Sequence, residues 1–102
     1  MKTRDYHADL MRRLKEPDYA IGYLNTALED GDKDVFLLAL RDVVEAWGNM
    51  TKLSRLSHIH RVSLYKILSE RGNPKVDNLT KILHGIGLKL TVTKEREFKR
   101  AA

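Results

Sequence analysis

Between Lys52 and Lys66 the chain concentrates side chains whose types and spacing could do chemistry, and that chemistry is recognition of a polyanion. Arg61 and Lys66 suit guanine edges or phosphates, while Ser63 and Tyr65 suit phosphate or mixed contacts. Val62 stands among them and is counted with the candidate DNA-contacting residues. Lys52 and Arg55 come earlier and are expected to clamp phosphates rather than read bases. Around these positions Leu53, Ile59, Leu64 and Ile67 fall where two short crossed helices need apolar side chains. Small Ser54 falls where the two would approach closely. The layout is that of a helix-turn-helix DNA reader over about residues 50–69. An exposed polar helix face is the bland alternative for the same residues.

Other chemistries find little support. The chain has no Cys, so disulfides and thiolate catalysis are excluded. His58 and His60 are two apart across a turn, His7 and His84 lie far away, and no His pair has the i, i+4 spacing of a helical metal site. Asp30, Asp32 and Asp34 alternate, but the rest of a calcium loop is missing, so they read as helix-end and capping charges. Gly72-Asn73-Pro74 lacks the Gly-rich Lys-Ser pattern of a phosphate cradle. No nucleophile–base pair or carboxylate pair stands out, so neither an enzyme nor a cofactor is expected.

The elements that must position these residues are helical. At 102 residues, 42% of them hydrophobic and only 2 of them Pro, the expectation is one all-α domain with a modest core. A short helix is predicted around Ala8–Leu14. Pro17 and Asp18 open the next, which runs to about Glu29 with Ile21, Leu24, Ala27 and Leu28 at helical spacing. Gly31 stops it and Asp32 caps the following helix, about Lys33–Trp47, whose apolar side carries Phe36, Leu37, Leu40, Val43, Val44 and Trp47. Asn49 caps Met50–Ser57. His58 takes the turn position that calls for positive φ, and His60 is a poor cap for Arg61–Ser69. After the Gly-Asn-Pro loop, Val76, Leu79, Ile82, Leu83 and Ile86 define a last helix ended by Gly87. Leu88 to Thr93 alternates apolar and polar, the signature of a half-buried strand. The expected division is an N-terminal segment, 1–16, a helix-turn-helix domain, 17–93, and a charged tail, 94–102.

Charge is divided unevenly. Residues 1–47 hold 7 Lys or Arg against 10 Asp or Glu, whereas residues 48–102 hold 12 against 4. The basic half is the half that carries the candidate reader, which points to double-stranded DNA as partner. The charged N-terminus has no apolar leader core, and no apolar run approaches the roughly 20 residues that span a bilayer, so a cytoplasmic location without membrane contact is expected. The apolar face of Leu88, Leu90 and Val92, with unpaired strand edges, suggests a homodimer seam.

Several stretches carry a family resemblance. They are Tyr23 to Asp32, Phe36 to Val43, Ser63 to Ser69, and Gly72-Asn73-Pro74 with Leu88-Lys89-Leu90. Together they cover about residues 15–93. The chain resembles the Xre-type, lambda-repressor-like helix-turn-helix family, and within it the addiction-module antidote proteins, antitoxins paired with a small ribonuclease-like toxin. That resemblance implies a five-helix domain with a short C-terminal β-strand, operator binding and a cognate small toxin as second partner. Three positions depart from the family pattern: the turn Gly is His58, the usual small Ala is Ser54, and the capping Ser is His60. The alternative is a stand-alone phage- or plasmid-type repressor, or a protein-binding module with little DNA affinity.

Overall fold

Six α-helices form the regular structure of the described residues, 3–95, in this computed structural model: α1 (Thr3–Leu14), α2 (Pro17–Asp30), α3 (Lys33–Trp47), α4 (Met50–Ser57), α5 (Arg61–Ile67) and α6 (Val76–Gly85). The caps follow local chemistry. Pro17 occupies the first turn of α2, where its missing N–H is no loss. The Asp32 carboxylate accepts from the Asp34 N–H at 2.8 Å, and the Asn49 side chain accepts from the Lys52 N–H at 2.9 Å, so α3 and α4 start where the sequence predicts. Residues 96–102, most of the expected charged tail, lie outside the described residues.

The all-helical expectation holds, but two of its details need correction. The first is the helix count, six rather than five. The short helix expected around Ala8–Leu14 spans Thr3–Leu14 and packs on both α2 and α3. Leu14 is buried in the core, with Leu10 and Met11 packed against it. Asp9 adds local support by accepting from Arg12 at 2.6 Å and Arg13 at 2.8 Å, partners that hold its carboxyl below the usual carboxylate range. The second correction concerns Leu88–Thr93, which forms no strand: the described residues contain none. A strand exists only as part of a ladder, and here the Leu88 N–H donates to the Leu83 carbonyl at 2.8 Å, closing the end of α6 instead. Leu88 is half-buried, Leu90 is exposed and Val92 is 98% exposed, so only the first position of the alternation reaches the core.

The core is centred on α3, which contributes Phe36, Leu37, Leu40, Val43 and Val44. Leu40, Leu53, Leu64 and Ile82 are 0% exposed and tie α3, α4, α5 and α6 together. Complete burial of one such side chain stabilises by about 2 kcal/mol. α2 joins through Ala20, Leu24 and Ala27, while Ile21 and Leu28 of its apolar stripe stay exposed. The half-buried Tyr23 hydroxyl donates to Asp42 at 2.7 Å, linking α2 to α3. Burial first, and the Asp42 carboxylate second, push its ionisation well above the usual tyrosine range.

Candidate nucleic-acid interface

α4 and α5 are set by a turn that α4 itself ties down. Leu53 and Leu64 anchor the two helices, and Ile59 between them is 7% exposed. The Ser54 hydroxyl donates to the Ile59 carbonyl at 2.6 Å, and the Ser57 hydroxyl accepts from the Ile59 N–H at 3.3 Å. Two serine side chains thus satisfy both backbone groups of a buried turn residue, which no helix or sheet ladder could reach. Sequence spacing assigns Ser54 only small size. Its second role is visible only once the turn folds back over it.

His58 ends α4 with φ +60° and ψ +30°, the left-handed conformation expected of the turn position. His60 caps α5 through its ring, with Nδ1 accepting from the Val62 N–H at 3.4 Å. That distance lies beyond the usual range for a strong bond, in keeping with the poor cap expected from the sequence.

The candidate residues emerge on one side of α5. Arg61, Val62, Ser63, Tyr65 and Lys66 are all exposed, while Leu64 and Leu68 point inward and Ile67 is half-buried. At about 100° per residue the exposed five cover a continuous arc of roughly 200°. The Arg61 guanidinium lies 5.9 Å from the centroid of the Tyr65 ring one turn on. On α4, Lys52 and Arg55 are also exposed, and the Lys52 ammonium lies 5.8 Å from the Trp47 ring centroid. Trp47, expected in the core, is half-buried, packing inward while supporting Lys52. Among the described residues none of the cations Lys52, Arg55, Arg61 and Lys66 forms a salt bridge. All seven residues singled out in the sequence therefore lie on the exposed surface of two adjoining helices, and their four positive charges form no salt bridge among the described residues.

Three further residues hold α4 and α5 in place, Arg41, Gly72 and Gly85, and of these the sequence marks only Gly72, as part of a loop. Arg41 of α3 reaches across to donate to the Leu68 carbonyl at 3.2 Å, capping the end of α5. A Cβ on Gly72 would stand 1.9 Å from the Ile67 carbonyl oxygen, so the loop after α5 can close only with glycine. A Cβ on Gly85 would stand 2.6 Å from Leu53 Cδ1, so this glycine lets α6 press onto α4.

The fold of the described residues is all-helical and displays on α5 cations that form no salt bridge among the described residues. Over residues 5–94 the chain matches the family described as "Probable addiction module antidote protein", and the chain belongs to that family. It is also similar to an uncharacterized protein of Haemophilus influenzae, 35% identical over 88 residues, which cover 86% of this chain and 90% of that protein. No solved structure matches the chain. Among the described residues no helix is long and apolar enough to cross a membrane.

Proposed function

We propose that the chain is the antitoxin of a type II toxin–antitoxin module, binding operator DNA through an Xre-type helix-turn-helix formed by α4 and α5 and neutralising a small toxin by direct contact. The observation that carries the DNA half is the exposed arc of α5 with its unpaired cations. α5 enters the major groove, where Arg61 and Lys66 meet guanine edges or phosphates. Ser63 and Tyr65 take phosphate or mixed contacts, and Val62, 62% exposed, suits a thymine methyl. Lys52 and Arg55 on α4 hold the backbone. Family membership carries the toxin half. Two copies pair on half-sites about 34 Å apart. The role is stoichiometric binding in the cytoplasm and includes no catalytic step.

Expression of the small protein encoded beside this chain should arrest growth, and co-expression of the chain should restore it. With a reporter under the chain's own promoter, Arg61→Ala should lose repression yet still restore growth. Arg61→Ala should also relax sequence preference, whereas Lys52→Ala should weaken all duplexes about equally. A chain that neither restores growth nor represses is not an antitoxin of this kind. Repression without rescue would indicate a stand-alone repressor.

A further inference from the structure

On the α2–α3 side an open groove of about 610 Å³ is lined by Tyr19, Val35 and Leu38 together with the carboxylates Asp18 and Asp30 and the bare backbone of Gly22. No Lys or Arg lines it. Tyr19, Val35 and Leu38 are 41%, 39% and 52% exposed, so the chain's own fold leaves these large apolar groups uncovered. Apolar surface rimmed by polar groups marks an interaction site more often than a plain exterior.

Two of these residues are local choices that the isolated fold does not account for. Gly22 sits inside α2, where glycine weakens a helix. A Cβ there would meet nothing within 4 Å, so no packing within the chain requires glycine. Asp30 closes α2 beside Glu29, with no basic residue in the last turn, and negative charge there opposes the helix dipole. A partner accounts for both. Bare backbone at Gly22 admits a close approach, and Asp30 with Asp18 meets cationic side chains. Residues set against local preference concentrate at functional sites.

Charge specifies the occupant. Residues 17–47 hold seven Asp or Glu against Lys33 and Arg41, and the Arg41 side chain is turned to the Leu68 carbonyl. Arg13 lies 6.0 Å from the Tyr19 ring centroid, but its guanidinium is bonded to Asp9. Val35, Leu38 and Ala39 face the groove, whereas Arg41 and Val44 lie on another side of α3 beside Tyr65 and Leu68. A partner in the groove thus leaves the α5 arc clear.

We propose that this groove receives the toxin, through a segment presenting apolar side chains flanked by Lys or Arg. The proposal rests on the antitoxin reading above. The test measures the affinity of the small protein encoded beside this chain for the full chain, for Gly22→Gln and for Asp18→Lys/Asp30→Lys. Gly22→Gln replaces a weak helix former and should raise the thermal midpoint by a few degrees, roughly 4 °C. It should keep the parent's affinity for operator duplex and bind the small protein at least about tenfold more weakly. The charge-reversed pair should lose at least about tenfold as well, most at low salt. If the parent binds and both variants bind equally well, the groove assignment is wrong while the antitoxin reading stands. If the parent itself does not bind, both fall. A change in the sedimentation of the free chain on Gly22→Gln would make a second copy the occupant and overturn the proposal.

Discussion

His58 holds φ at +60°, where the Cβ of an L-residue crowds the backbone, and its side chain is exposed. His58→Gly should therefore stabilise the domain by a few tenths to about 1 kcal/mol, with the gain moderated by the greater freedom of glycine in the unfolded chain. Urea unfolding would show it as a higher midpoint at unchanged slope. A clear loss would reveal a contact held by the imidazole. Tyr23 makes a second residue-scale prediction. Its ionisation is pushed above the ordinary tyrosine value, so the folded state binds the phenolic proton more tightly than the unfolded chain. The resulting stabilisation is complete below about pH 10 and is lost as pH rises beyond it. Tyr23→Phe should flatten the decline in stability between pH 9 and the highest pH the fold survives, and an undiminished decline would assign it to other groups. The exposed face of α5 and the positive φ of His58 were legible because both depend on local spacing. The hydrogen bonds of Ser54 and Ser57 to Ile59 were not, because they depend on where the turn comes to rest.

At the scale of elements, caps and periodicity carried α2 to α6. Asp32 and Asn49 bond the backbone where their positions imply. α1 and the segment after α6 were misjudged for a shared reason: neither is decided locally. α1 extends to Thr3 against α2 and α3, and the alternation of Leu88 to Thr93 needed a ladder partner that the described residues do not supply. Arg41 belongs to the same class of tertiary feature, since a cation inside an apolar helix gives no hint that it will cap a distant one. Arg41→Met should remove a charge-assisted bond to Leu68 and destabilise by about 1–2 kcal/mol. It should also loosen the end of α5 and weaken duplex binding without altering toxin affinity. If stability falls and duplex affinity does not, α5 is held by its apolar anchors Leu64 and Leu68 alone.

For the whole molecule, the acidic residues 17–47 and the basic C-terminal half separate two proposed partners, a cationic protein and DNA. If two copies pair, as proposed, a third face offers the seam. Exposed Ile21, Leu28 and Leu90 border one groove on the side of α2 away from Tyr19 and Gly22. A second copy covering that face would give the two-fold reader that half-site recognition requires. Leu28→Lys, at a position already 48% exposed, should fold normally and sediment as a monomer at tens of micromolar. Equal sedimentation of variant and parent would move the seam elsewhere. The central claim is that the α4–α5 surface binds DNA, and its most direct measurement is duplex affinity as a function of salt, for the parent and for Lys52→Ala/Arg55→Ala, which removes the two proposed phosphate clamps. If about four phosphates are neutralised per subunit, log affinity should fall against log salt with a slope near about −3.6 per subunit, and the double variant should shed about two phosphates' worth of that slope. Binding that ignores salt, or a slope unchanged in the variant, would contradict it.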